Sequence, residues 1–183
     1  VMYKILVVDD ESIEREGISF LIEKYKFPLE VAQATNGKTA LEYMRTHPID
    51  ILLTDVKMPQ MDGLELARHT FEKYPDVRIL VFSAYGEFEF AKKAMAAQAV
   101  SYLLKPIEVD EFQRVMTQII AQCDELSEKK KDEQQRGEEY RQQLLFRLVT
   151  GTGLGKAHIT EEWFSGQMLC LLHVQTENDY FAT

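Results

Sequence analysis

The chain has only two cysteines, Cys123 and Cys170, in 183 residues. That excludes a disulfide framework, and their spacing fits no metal-ligand pattern, so a reducing cytosol is the expected compartment. No apolar run approaches the roughly 18 residues a membrane span needs, and VMYKILVV lacks the flanks of a signal peptide. An excess of basic charge is missing too. With 21 Lys and Arg against 30 Asp and Glu, the net charge of −9 argues against a surface that wraps nucleic acid. What remains is an ordinary globular composition, 45% hydrophobic and 28% charged.

The first 125 residues alternate two kinds of segment. Short apolar runs occur at 5–8 (ILVV), 31–32 (VA), 51–53 (ILL), 79–82 (ILVF) and 102–104 (YLL). Such runs, apolar on both faces, fit strands of a parallel sheet covered by helices. Helix-period segments separate them. The first carries Ile13, Gly17, Phe20, Leu21 and Tyr25, the second Ala40, Leu41 and Met44, and the third Leu64, Leu66, Ala67 and Phe71. A fourth covers Phe88 to Ala97, and a fifth starts near Val109. Asn36-Gly37 and Asp62-Gly63 mark strand-to-helix turns, while Pro28, Pro48 and Pro75 close helices ahead of the next strand. Five β–α repeats predict a doubly wound α/β domain, a five-stranded parallel sheet with right-handed crossovers.

Beyond residue 110 the pattern changes. Phe112, Val115, Met116, Ile119, Ile120, Cys123 and Leu126 form one broad stripe, after which residues 127–143 are almost wholly polar. The charges there nearly cancel, which favours a solvated helix. In a heptad frame Met116, Cys123, Lys130, Gly137 and Leu144 share one seam position; Ile119, Leu126, Glu133, Tyr140 and Arg147 share the other. A polar linker helix and a dimerising coiled coil stand as alternatives. The coiled coil predicts that replacing Ile119 and Leu126 with Lys gives monomers. The domain expectation is therefore 1–125 for the α/β domain, 126–150 for a helical linker, and 151–183 for the start of a truncated second domain. That last part holds a short predicted helix, Ile159 to Phe164, and a predicted strand, Met168 to Val174.

Carboxylates fall at the strand ends. Asp9 and Asp10 follow the first run, and Asp55 follows the third. In a doubly wound sheet these ends share one edge, where ligands bind. Three bare carboxylates there would repel one another and raise each other's pKa; a hard divalent cation such as Mg²⁺ resolves the conflict. Ser83 and Lys105 bring a hydroxyl and an ammonium to the same edge, which makes a site for phosphoryl transfer onto an aspartate. Singly, each residue has a plainer reading: Asp9 or Asp10 as a helix cap, Ser83 as a loop hydroxyl, Lys105 as a surface lysine and Pro106 as a helix-starting proline. Their joint occurrence at successive strand ends carries the argument.

VVDDE, TDVKMPQMDG, FSAYGE and YLLKP, in that order, resemble the signatures of the response-regulator receiver domain. The resemblance implies a CheY-like fold with strand order 2-1-3-4-5 and an extended C-terminal helix. It implies that Asp55 accepts a phosphoryl group from a histidine kinase, and that Asp9, Asp10, Asp55 and the Lys57 backbone carbonyl hold Mg²⁺. It further implies that Lys105 pairs with phosphoryl oxygens and that the Lys105–Pro106 bond is cis. Ser83 and Tyr102 resemble the switch pair whose movement remodels the surface of the fourth helix, fifth strand and fifth helix. Lys57 and Tyr85 flank the site at variable positions. The implied activity is a phosphoacceptor switch, with Mg²⁺-dependent self-phosphorylation and slow autodephosphorylation, rather than an enzyme acting on external substrates.

FSAYGEFEFAKKAM, YLLKPIEVDEF and LLFRLVTG are similar to response regulators with an AraC-type (YesN-like) DNA-binding domain. By that resemblance the protein is cytoplasmic. Its partners would be a sensor histidine kinase and a second copy, met through the C-terminal helix or the switch surface. DNA would be bound only through a domain absent from this sequence. Two enzymatic readings fail on single residues. A haloacid-dehalogenase-type phosphatase wants an acid two positions after Asp55, where Lys57 stands. GTGLGKA places its lysine one residue early for a P-loop, and Ala157 replaces the hydroxyl residue. A phosphate-independent receiver-like interaction module is the remaining alternative.

Overall fold

The computed structural model describes residues 1–84 and 100–150. The predicted helix from Phe88 to Ala97, the GTGLGKA segment and the elements predicted within 151–183 lie outside the described residues. The strands are β1 (Tyr3–Val8), β2 (Leu29–Ala34), β3 (Ile51–Asp55), β4 (Arg78–Ala84) and β5 (Val100–Lys105). The helices are α1 (Ser12–Lys24), α2 (Gly37–Thr46), α3 (Gly63–Lys73) and α4 (Val109–Thr150), the last being the predicted fifth helix. All strand pairs are parallel and the order is β2-β1-β3-β4-β5, as expected.

Strand periodicity sorts the core into two layers. Ile5, Val7, Leu53, Leu80, Phe82 and Leu103 face α1 and the first turns of α4, where Ile18, Ile22, Phe112, Met116 and Ile119 meet them. Leu6, Val8, Leu52, Ile79 and Val81 face α2 and α3, packing on Ala40, Met44, Leu66 and Ala67. Each fully buried aliphatic side chain contributes about 1.5–3 kcal/mol, so both layers are needed to offset chain entropy. The turns follow their sequence cues. Asn36 caps α2 in a capping box with Thr39, and the Asp62 carboxylate accepts the Glu65 N–H at 2.8 Å to start α3.

One predicted stripe is corrected. On α1 the buried residues are Ile18 and Ile22, whereas Ile13 and Phe20 are 73% and 60% exposed. The helix carries two competing apolar faces, and a single period does not say which one meets the sheet. The structure turns Ile18 and Ile22 inward and places the Lys24 ammonium 5.7 Å from the exposed Phe20 ring. Phe71 on α3 is likewise 42% exposed, and Thr70 is buried beside Leu66 and Ala67.

The seam of α4 is corrected in the same way. Met116, Ile119 and Cys123 are buried in the sheet-facing layer, so these heptad positions belong to the α/β core. Their replacement by Lys therefore tests folding, not dimerisation. Residues 128–143 are exposed along the helix. The chain divides into two compact units, 1–132 and 133–183.

At the edge opposite the strand ends that carry the carboxylates, the Tyr3 hydroxyl donates to Asp124 Oδ1 at 2.6 Å. That bond, with burial, pushes the phenol up to about 12. The unfolded chain loses the phenolic proton near pH 10 while the folded chain keeps it to about 12. The contribution of Tyr3 is therefore complete below pH 10 and declines between pH 10 and about 12. Denaturation of the parent and of Tyr3→Phe across that range should show the parent's advantage shrinking as pH rises; a constant difference would mean the two states titrate alike.

Candidate functional site

The register brings four strand ends to one edge. Val8 pairs with Thr54, Asp55 with Phe82, Ser83 with Leu104, and Ala84 with Lys105. Asp9 and Asp10 follow β1, Asp55 ends β3, and Lys105 ends β5. The ligand oxygens of Asp9, Asp10 and Asp55 all lie within 4.8 Å of one another. Asp9 and Asp55 are buried and Asp10 is exposed, so the cluster opens to solvent on one side. Asp9 is not the cap of α1. Its Oδ1 accepts the Glu11 N–H at 2.8 Å, and Glu11 stands at the cap position.

Lys105 joins the carboxylates. Its Nζ lies 3.0 Å from Asp9 Oδ2 and 3.1 Å from Asp55 Oδ1, and 4.6 Å from the centre of the Phe82 ring. Burial alone would depress the ammonium, but the hydrogen bonds and charges of Asp9 and Asp55 outweigh it and raise the pKa. Burial raises the Asp55 carboxyl above its ordinary value. Lys105 pulls it down and Asp9 pushes it up, and burial prevails. With three carboxylates and one ammonium, the fully ionised site is left at −2, the charge that one divalent cation cancels. The all-oxygen donor set and the solvent-facing Asp10 fit a hard ion that keeps some of its water.

The remaining predicted residues surround this group. Ser83 is buried at the edge end of β4, its hydroxyl 3.5 Å from the Ala84 carbonyl oxygen. Tyr102, paired in register with Val81, is half-buried against the layer that covers α2 and α3, and burial raises its phenol. Lys57 is exposed on the loop after β3. The Lys105–Pro106 bond is cis. Tyr85 lies outside the described residues.

Two supporting residues leave little signal in the sequence. Thr54 is buried and its hydroxyl donates to the Asp55 carbonyl at 2.9 Å; a lone hydroxyl in the apolar run ILLTD is the signal it leaves. Gly63 carries in the sequence the mark of a turn residue, and its Cα sits directly against the Asp55 backbone.

Residues 5–117 match the family model of the response regulator receiver domain. The chain belongs to that family. The receiver is 41% identical over 122 residues to the uncharacterized transcriptional regulatory protein YesN of Bacillus subtilis, covering 66% of this chain and 33% of that protein. It is 33% identical to the response regulator GacA of Pseudomonas aeruginosa, covering 66% of this chain and 56% of that protein. Among solved structures, the REC domain of AraT, a response regulator from Geobacillus stearothermophilus, matches 71% of this chain and 99% of its own, at 37% identity and a TM-score of 0.63. A two-component AraC transcriptional regulator from Clostridium phytofermentans matches 67% of this chain and 96% of its own, at 34% identity and a TM-score of 0.62. The chain thus spans about a third to somewhat over half of these two curated relatives, and resembles the receivers of transcriptional response regulators. Among the described residues, no helix is long and apolar enough to cross a membrane.

Proposed function

We propose that this receiver takes a phosphoryl group on Asp55 from the phosphohistidine of a sensor kinase, and that the modified chain drives a transcriptional output. The supporting observation is the convergence of Asp9, Asp10, Asp55 and Lys105 at one sheet edge. An Asp55 oxygen attacks phosphorus, the P–N bond breaks, and the departing imidazole nitrogen retains the electron pair and takes up a proton. The Lys105 ammonium, held between Asp9 and Asp55, neutralises part of the charge arriving on the phosphoryl oxygens. Mg²⁺, held by Asp9, Asp10, Asp55 and the Lys57 carbonyl, would supply the rest of that neutralisation.

Ser83 then hydrogen-bonds a phosphoryl oxygen, and Tyr102 follows by packing further inward. The β5 surface changes as a result. Asp9, Asp10, Lys105, Ser83 and Tyr102 thus act as a unit on one modification at Asp55. The resemblance to YesN and to the AraC-type regulators supports a DNA-binding output in a longer protein, with residues 126–150 as the linker and 151–183 opening the next domain. A second copy of the chain, met through α4 or the switch surface, is the partner expected of such a design.

Intact mass after incubation with Mg²⁺ and acetyl phosphate tests the chemistry. The parent should gain one phosphoryl group, and Asp55→Asn or added EDTA should abolish the gain. A gain that persists in Asp55→Asn would move the acceptor elsewhere. No gain with acetyl phosphate or with any phosphorylated kinase would leave the phosphate-independent interaction module.

A further inference from the structure

The backbone of Asp9 is gripped from both sides. Its N–H donates to the Ala34 carbonyl of β2 at 3.3 Å, and its own carbonyl accepts Arg15 Nη1 at 2.7 Å. The guanidinium therefore spends its shortest hydrogen bond on a neutral carbonyl and leaves the Asp9 carboxylate to Glu11 N–H and Lys105. Arg15 is itself fixed. Its Nε donates to Gln33 Oε1 at 3.2 Å, Gln33 Nε2 donates to Ser19 Oγ at 3.0 Å, and Ser19 Oγ donates to the Arg15 carbonyl at 2.8 Å. The ring closes on Arg15 and ties α1, β2 and the loop after β1 into one unit. A planar fork that makes two anchored bonds holds its partner in direction as well as in distance.

We propose that Arg15 is a positioning residue for the acidic cluster, orienting the Asp9 peptide so that the carboxylates of Asp9 and Asp10 face Asp55. This rests on the reading of that cluster as a Mg²⁺ site. The proposal fixes a sign. A guanidinium close to a cation site repels the cation, so an electrostatic role alone would make its removal tighten Mg²⁺ binding. A positioning role makes removal weaken it, by about tenfold if Arg15 acts as outer-shell partners of metal ligands do.

Calorimetric titration of Mg²⁺ into the full chain reads this directly, with thermal melting in EDTA alongside. Arg15→Met should bind Mg²⁺ about tenfold more weakly. Arg15→Lys should recover part of the loss, because an ammonium reaches the Asp9 carbonyl without also holding Gln33. Phosphorylation of Arg15→Met by acetyl phosphate should return to the parent rate once Mg²⁺ is raised to saturation, which separates ion affinity from chemistry. If Arg15→Met does not fold, Gln33→Leu removes one anchor from outside and should weaken binding by a smaller factor. Equal or tighter Mg²⁺ binding in Arg15→Met, or in Gln33→Leu when that is the variant measured, would overturn the proposal while leaving the cluster intact. A parent that binds no Mg²⁺, or whose binding survives Asp10→Ala, would overturn the cluster reading and this proposal with it.

Discussion

Gly63→Ala should lower the melting temperature of the receiver by roughly 10 °C and slow phosphorylation of Asp55 at least about tenfold. A Cβ on Gly63 would lie 1.8 Å from the Asp55 carbonyl oxygen and 2.8 Å from Thr54 Oγ1. Backbone cannot swing aside as a flexible side chain does. Either α3 backs away or the end of β3 moves. The helix is held by buried Leu66, Ala67 and Thr70, and its first N–H is bonded to the Val56 carbonyl at 2.9 Å. The strain therefore falls on Asp55, whose carboxylate leaves its 3.1 Å contact with Lys105. Overpacking of this kind costs about 3 kcal/mol, and the helix propensity gained by alanine, at most about 1 kcal/mol, does not offset it. The rate is to be read well below the lowered melting temperature, so that unfolding does not mimic slow chemistry. An unchanged melt with an unchanged rate would mean that α3 slides freely, and the contact would then have no positioning role.

The acidic cluster was legible because it depends on little besides strand order. Once the short apolar runs are taken as parallel strands, Asp9, Asp10, Asp55 and Lys105 must share an edge, and they do. Contacts made through backbone leave a fainter mark. The Thr54 hydroxyl, the Gly63 approach and the Arg15 grip all act on carbonyl oxygens, which look the same at every position in a sequence. Helix faces were the other weak point. Ile13, Phe20, Ile18 and Ile22 offer α1 two apolar sides, and packing against the sheet and the first turns of α4, together with the Arg15–Gln33–Ser19 ring, selects between them. Gly37 shows a milder version of the same effect. A Cβ there would meet Met61 Cγ at 2.5 Å and Met61 Cβ at 2.9 Å; the thioether end can rotate away, but the Cβ yields only if the Met61 backbone moves.

The stripe on α4 shows how far one period can mislead, and Ile119→Lys measures the difference. Apolar residues three and four apart describe a helix packed on a sheet as well as a helix packed on its own copy. Ile119 is 1% exposed, among Phe112, Met116 and Cys123 and the side chains of β1, β3 and β4. A lysine there loses an aliphatic contact worth about 2–3 kcal/mol and carries an ammonium into the core at a further cost of several kcal/mol. The sum rivals the whole stability of an ordinary domain, about 5–15 kcal/mol. The expected product is an unfolded or molten chain at 25 °C, seen as loss of a cooperative melt by circular dichroism, and not the folded monomer that a coiled-coil seam would give. Leu144→Lys is the informative contrast. Leu144 lies past Asp132, beyond the α/β unit, and is half-buried on a helix whose preceding residues, 128–143, are exposed. That variant should keep the receiver's melt. If light scattering finds the parent dimeric, the same variant decides whether the distal turns of α4 hold the two copies together. A folded, cooperative Ile119→Lys would return its position to the seam and remove it from the core.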